Sequence, residues 1–235
     1  IPTSPLFPAL NTTGIVHVVI LSMWGISLGV LVAPVPEIVK KSSLSIFLGI
    51  SVLLALQDQL RWQPWFYQFL LMTAAYILYF FKKIQQRELL GLLHWLMVAI
   101  YFWSGVHKFN IAFIEHTVPS IIELELGYAG CFIAVVEIML AVALTSKKAR
   151  RAGSIGLIAM HFSIIVMVLF GGMSHNSVII PWNLGMVGLL ALLYLNPARV
   201  FGLYHRTAKI AAVVVLGILP VLNFAGWWDY YLSFS

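Results

Sequence analysis

The feature that most constrains this chain is a series of eight long apolar segments that take up most of its length. They lie at approximately residues 14–33, 44–58, 65–81, 89–106, 127–145, 153–173, 181–195 and 207–225. A helix needs roughly 20 apolar residues to cross the hydrocarbon core of a bilayer, and shorter segments cross with help from their flanks. No alternation of apolar and polar residues persists, as the strands of a membrane barrel would require. The pattern predicts an all-α bundle of about eight transmembrane helices.

The composition agrees with a bilayer as the solvent of this protein. Of the 235 residues, 61% are hydrophobic and only 9% are charged, and the mean hydropathy is +0.97. A soluble domain of this size needs more charge to cover its surface. The net charge of +6 follows from the loops described next, so nucleic-acid binding is not expected. We interpret residues 1–235 as one transmembrane domain, and whether it is part of a longer chain stays open.

The basic residues are distributed asymmetrically between the loops. In an eight-helix topology, twelve of the 14 Lys and Arg residues lie on one side, and the other two are Arg61 and Lys108. Because cytoplasmic loops carry an excess of Lys and Arg, this places both termini outside the cytoplasm. The same asymmetry favours two separate helices on either side of QDQLRWQP, where one broken element is the alternative. A multi-pass protein of a bacterial inner membrane is predicted.

Lys108 is therefore an unusual cation at the outer end of an apolar helix. On that helix, one stripe carries His94, Met97, Tyr101, Ser104 and Lys108 by steps of three and four residues. Such a stripe indicates a surface that faces the bundle interior or a pocket. Lys108 either extends to the outer headgroups or is a desolvated lysine whose amine can accept a proton. Helix-end statistics alone favour the headgroup interpretation.

Two further ionisable residues lie deep in apolar segments. Glu137 is near the centre of GYAGCFIAVVEIMLAVAL, on a stripe of small residues with Gly130, Ala134 and Ala141. A carboxylate at that depth is costly unless it is protonated or paired, and small residues let helices approach closely. His161 is at a comparable depth and could pair with Glu137 if their helices touch. For both residues, a functional role and a packing role stay open.

The remaining polar residues favour a lipophilic ligand over a metal. No metal is predicted, because the chain has one cysteine and neither His-x-x-x-His nor Glu-x-x-His. One outer connection instead interleaves Asp58 and Arg61 with Trp62 and neighbouring aromatic residues. These aromatics are either interfacial belt residues or the mouth of an amphiphile-binding cavity, with Trp62 in contact with the ligand. The other long outer connection, 107–126, carries three glutamates beside His107 and Lys108.

Several motifs resemble the vitamin K-dependent gamma-carboxylase-like family, also called the horizontally transferred transmembrane domain (HTTM) family. They occur in order across nearly the whole chain, and they are DQLRWQPWFYQF, YFWSGVHKFNIAFI, EIMLAVAL, HFSIIVMVLFGGMSHNSVIIPWNLGMVGLLALLYLNP and LPVLNFAGWWDYYLSFS. The segment YFWSGVHKFNIAFI, a Tyr-Phe helix that ends in a basic pair, is the most diagnostic of them. Its SG..K pattern also resembles that of small quinone-linked DoxX-like membrane proteins.

The resemblance implies a quinol or vitamin K-like hydroquinone as the cofactor. It implies that Lys108, the second residue of the basic pair, is the base that deprotonates the quinol, which reverses the preference for a headgroup anchor. The residues expected to line the ligand site are Tyr101, Ser104, His107, Glu137, His161 and Trp62. An enzyme of this kind would be carboxylase- or epoxidase-like. The family carries lysine at the position of His107 and histidine at that of Trp65, which leaves the reaction itself open.

Three functions remain open from the sequence. The first is a quinol-dependent membrane enzyme with Lys108 as its base, and the second is a catalytically silent subunit of a larger membrane complex. The third is a transporter, suggested by Glu137 and His161 and weakened by the absence of inverted repeats. The expected partners are membrane lipids, a lipophilic small molecule and other membrane protein subunits.

Overall fold

The computed structural model describes residues 14–58, 61–111, 113–117, 130–170, 179–196, 199 and 201–227. Within these ranges the chain is helical and contains no strand, which confirms the all-α class. The helices are α1 (Ile15–Val32), α2 (Glu37–Gln57), α3 (Pro64–Phe80), α4 (Gln86–His107), α5 (Cys131–Thr145), α6 (Arg150–Phe170), α7 (Ile179–Tyr194) and α8 (Arg206–Ala225). A short helical turn, Phe113–Thr117, follows α4.

Five of these helices are long and apolar enough to cross a membrane by length and composition. They are α1, α2, α4, α6 and α8, while α5 and α7 are shorter apolar helices and α3 has 17 residues. A protein with membrane-spanning helices is therefore supported. The count of eight spans and the outer position of both termini stay predictions.

The helix bounds follow the predicted segments except at α2. The apolar pattern predicted its start at residue 44, whereas the helix begins at Glu37, directly after Pro36. The first turns are charged and so lack an apolar signal, but the fixed φ of proline suits a helix start. The predicted separation of α2 from α3 is confirmed, because α2 ends at Gln57 and α3 begins at Pro64. Positions 118–129 and 171–173 of the predicted elements lie outside the described residues.

The described residues form two compact units, the first ending at Leu89 and the second beginning at Leu90. In the first unit, α1 and α2 form a close pair that small and aromatic side chains hold together. The Ser43 hydroxyl donates to the Ser27 carbonyl at 2.8 Å, and the Trp24 indole N–H donates to Ser51 Oγ at 2.9 Å. The Trp24 ring also stacks on Phe47 at 5.3 Å between centroids. The third helix of this unit, α3, packs against α2.

In the second unit, α5 packs on α6 and α6 packs on α7. The helix α4 is the most buried of the membrane-length helices, since 67% of its apolar window is inside the protein, against 6% for α8. Glycine allows the close packing of α5 on α6, because a Cβ at Gly156 would lie 2.7 Å from Leu140 Cδ2. Because most of α4 is buried, its polar side chains are surrounded by protein.

The last helix, α8, changes its hydrogen-bonding pattern along its length. It is α-helical over Arg206–Ala212, widens to a π-helix over Val213–Ile218 and tightens to a 3₁₀ helix over Leu219–Ala225. Pro220 lacks an N–H group and disrupts regular α-helical bonding. The Trp103 indole N–H donates to the Leu216 carbonyl at 2.8 Å, which ties this irregular stretch to α4.

Candidate functional site

The centre of the candidate site is an ion pair between Lys108 and Glu137. Lys108 lies one residue beyond the end of α4, and its Nζ contacts Glu137 Oε2 on α5. The amine also donates to Ser104 Oγ at 2.7 Å, and it lies 5.9 Å from the centroid of the Phe113 ring. The Glu137 side chain is 5% exposed and that of Lys108 is 25% exposed. The carboxylate is thus enclosed, while the lysine side chain is partly exposed.

The backbone around Lys108 favours a cation at this position. The carbonyl groups at a helix C-terminus carry partial negative charge, and Lys108 Nζ lies 3.4 Å from the carbonyl oxygen of Ser104. The amine therefore folds back along α4 and across to α5. A lysine that anchors in headgroups would instead extend away from the apolar surface.

Close packing of α4 on α5 brings the two charged groups together. Gly105 lies on this contact, and a Cβ added there would meet Ile138 Cγ1 at 2.7 Å and the Ala134 carbonyl oxygen at 3.0 Å. The predicted small-residue face of α5 is buried, with Ala134 and Ala141 both 0% exposed. Small residues on both helices thus permit an approach that larger side chains would prevent.

A second polar cluster lies further along α4 and joins three helices. Tyr101 Oη and His161 Nε2 of α6 are 2.6 Å apart, and His161 Nδ1 lies 2.5 Å from Asn183 Oδ1 of α7. Asn183 Nδ2 donates to the Ile179 carbonyl at 2.7 Å, which turns the amide oxygen towards the imidazole. His161 Nδ1 then carries the proton, and Nε2 accepts from the Tyr101 hydroxyl.

The two clusters lie on the predicted polar stripe of α4. Tyr101 and Lys108 are seven residues apart, which corresponds to about 10 Å along a helix. Tyr101 is 2% exposed and His161 is 4% exposed, so this part of the stripe is fully enclosed. The suggested pair of Glu137 with His161 is not among the hydrogen bonds of the described residues. Glu137 instead pairs with the lysine cation, and His161 is satisfied by two neutral partners.

His107 is adjacent in sequence to Lys108 but contacts other residues. Its ring stacks on Phe224 of α8 with centroids 4.8 Å apart, and Trp103 lies 6.0 Å away. Its Nε2 atom is buried and has no hydrogen-bond partner among the described residues. An unpaired buried polar atom is uncommon in folded proteins. The ligand role of His107 stays a prediction.

Trp62, the remaining predicted ligand contact, lies in the first unit. Its indole N–H donates to the Ala55 carbonyl at 2.8 Å, which caps the end of α2. Five predicted site residues, Tyr101, Ser104, Lys108, Glu137 and His161, thus lie in the two polar clusters of the second unit. His107 lies beside them on α4, and the ligand role of Trp62 stays a prediction.

Asn183 is a site residue that the sequence analysis missed. It is 2% exposed and orients His161 through its amide oxygen. An amide in the apolar run PWNLGMVGLL is itself a signal, since polar residues within membrane helices usually bond across to another helix. Gly105 was also missed as a packing residue, because its role depends on which helix lies opposite it.

Replacing Tyr101 with phenylalanine should destabilise the protein by about 1–3 kcal/mol. The change removes the hydroxyl and leaves His161 Nε2 buried without a donor, and such unpaired groups carry this cost. Tyr76→Phe is the matched control, because Tyr76 is 38% exposed. Unfolding in mixed detergent micelles, followed by tryptophan fluorescence, measures both variants. Equal stability of Tyr101→Phe and the control would contradict the assigned hydrogen bond.

Among the described residues, no group of three or more His, Cys, Asp and Glu side chains is arranged to hold a metal ion. No known protein-family model matches the chain, and no match was found among curated proteins or solved structures. Functional inference therefore depends on the geometry and chemistry of the two polar clusters.

Proposed function

We propose that this chain is a multi-pass membrane protein that binds a quinol-like lipophilic compound and removes a proton from it at the Lys108–Glu137 pair. The observation that carries the proposal is the ion pair itself, in which a partly exposed lysine side chain contacts an enclosed carboxylate. Charged groups within membrane helices are costly, and they commonly mark sites of proton or ligand handling.

The pair can accept a proton in two balanced steps. In the ion pair, Lys108 holds three protons and must first pass one to Glu137, with which it is in direct contact. The neutral amine then accepts the proton of the quinol hydroxyl and becomes an ammonium again. Glu137 ends protonated, and the quinol anion lies beside the Lys108 cation. In net terms, the carboxylate takes the proton and the lysine both relays it and stabilises the anion.

The neighbouring groups offer contacts for the rest of such a ligand. The ring of His107 has an unpaired buried nitrogen, and Ser104 holds the lysine amine in place. The Tyr101–His161–Asn183 cluster contains no formal charge, so it suits the polarisation of a ligand better than a permanent ionic role. Ser104, His107 and Tyr101 lie on α4, and His161 and Asn183 are connected to that helix through the Tyr101 hydroxyl.

The resemblance to the HTTM family supports the same proposal. The matching segment YFWSGVHKFNIAFI contains Ser104, Gly105, His107 and Lys108, which form or adjoin the ion-pair cluster. The charge asymmetry of the loops would place Lys108 at the outer face of a bacterial inner membrane. We propose family membership, an eight-span topology and this orientation together, because they depend on the same ordered segments.

The first test is the set of quinones that copurifies with the protein. Mass spectrometry of lipid extracts from gently purified wild-type protein should detect a near-stoichiometric quinone. Its amount should fall at least tenfold in Lys108→Met, and Lys147→Met, which changes an exposed lysine beyond α5, should retain it. The extract of an empty membrane preparation sets the background.

Only bulk phospholipid in every extract, with other membrane proteins copurifying, would contradict the quinol proposal. The chain would then be better explained as a catalytically silent subunit of a larger complex. In that case Lys108→Met would alter assembly or stability and leave the extracted lipids unchanged.

A further inference from the structure

A cavity that includes none of the candidate quinol-site residues lies in the first unit among α1, α2 and α3. Its volume is about 600 Å³, within the range of small-molecule sites. The lining is almost entirely apolar and aromatic, with Leu28, Phe47 and Leu70 as examples. Of the described side chains that line it, only Lys40 is charged. A cavity of this kind suits a ligand with one anionic end and a long apolar body.

The cavity extends along most of α3. Its lining includes Trp65 in the first turn of that helix and Phe80 at its end, a separation of about 22 Å. The hydrocarbon of one bilayer leaflet is about 15 Å deep. An acyl chain of ordinary length therefore fits along the cavity.

Lys40 lies at the end of the cavity where basic residues gather. This end is formed by the last turn of α1, the first turns of α2 and the last turn of α3. Lys41 is already engaged, since it lies 2.9 Å from Glu37 Oε1 and 5.9 Å from the centroid of the Phe81 ring. Among the described residues, Lys40 forms no ion pair, and Lys82 and Lys83 follow α3 at the same end. The local charge is therefore complementary to an anion.

We propose that this cavity binds an anionic phospholipid, with its phosphate at Lys40 and one acyl chain between α1 and α3. Basic groups beside apolar grooves at one membrane face are the usual basis of anionic headgroup recognition. In the orientation proposed above, this end faces the cytoplasm, where anionic lipids attract basic residues. A neutral quinone or a second copy of the chain would gain nothing from an unpaired lysine at the cavity end.

Native mass spectrometry of detergent-purified protein tests this proposal with two added lipids, phosphatidylglycerol and phosphatidylcholine with identical acyl chains. Wild-type protein should bind phosphatidylglycerol more tightly than phosphatidylcholine. Lys40→Gln should weaken that binding about fivefold, the effect of one basic residue near a headgroup. Lys41→Gln is the matched control, because its amine is already paired, and it should change the binding less than twofold.

A third variant, Leu48→Trp, places a bulky side chain on the cavity wall. It should reduce the amount of bound phosphatidylglycerol and leave the copurified quinone of the other unit unchanged. Equal binding of the two lipids by the wild type, equal effects of the two lysine variants, or full binding by Leu48→Trp would each overturn the proposal. A lipid-free dimer as the dominant species would also overturn it, with a second copy as the occupant of this face.

Discussion

Lys108→Met is expected to destabilise the protein by about 3–5 kcal/mol, and Lys108→Met combined with Glu137→Gln should recover most of that loss. Removing one partner of a buried ion pair leaves the other as an uncompensated charge, which has this cost. Glu137 is 5% exposed, so the remaining carboxylate cannot be solvated without moving α4 away from α5. Glutamine at residue 137 has no charge and almost the same shape as glutamate. The double variant therefore leaves no uncompensated charge between α4 and α5.

Unfolding in mixed detergent micelles can measure this double-mutant cycle. The control is Lys147→Met, which changes an exposed lysine beyond α5 and should shift stability by less than about 0.5 kcal/mol. The coupling between residues 108 and 137 should be well outside the error of the measurement. Additive effects of the two single substitutions would mean that the ion pair is not formed in the folded protein.

Gly105→Leu should have an effect at least as large, through packing instead of charge. The Cβ alone would lie 2.7 Å from Ile138 Cγ1 and 3.0 Å from the Ala134 carbonyl oxygen. Overpacking a tight contact costs about 1–3 kcal/mol, and leucine adds three more carbons beyond this Cβ, so a loss above that range is expected. The two helices must separate, which also parts Lys108 from Glu137.

The control for this change is Gly188→Leu on α7, where an added Cβ would meet no atom within 4 Å. Micelle unfolding should detect a large loss for Gly105→Leu and a small change for the control. Gly105→Leu should also lose the copurified quinone, even under conditions where it remains folded. Wild-type stability and quinone content in this variant would contradict the close packing of α4 on α5.

Hydropathy predicted the helices well because each helix that crosses a bilayer must be apolar over roughly 20 residues. The described helices coincide with all eight apolar segments, and the main error was the start of α2 at Glu37. There the helix continues through Lys40 and Lys41, which carry no apolar signal, and Pro36 defines its beginning. Periodicity also predicted the polar stripe on α4 and the buried small-residue face of α5, since each depends on one helix alone.

The partners of the polar residues could not be derived in the same way. The sequence suggested His161 as the partner of Glu137, because the two lie at comparable depth, whereas the contact of α4 with α5 pairs Glu137 with Lys108. Asn183 passed unnoticed because its importance arises from a helix that is distant in sequence from Tyr101. Gly105 is similar, because its lack of a side chain matters only opposite Ala134 and Ile138.

The most direct test of the Lys108–Glu137 proton site is the ultraviolet absorption of a bound hydroquinone. A short-chain naphthohydroquinone, kept reduced under anaerobic conditions, is titrated with purified protein, and its neutral and deprotonated forms are distinguished by their spectra. Wild-type protein should bind it as the monoanion, whereas Lys108→Met and Glu137→Gln should bind it neutral or not at all. A neutral hydroquinone bound equally by all three proteins would contradict proton transfer at this pair.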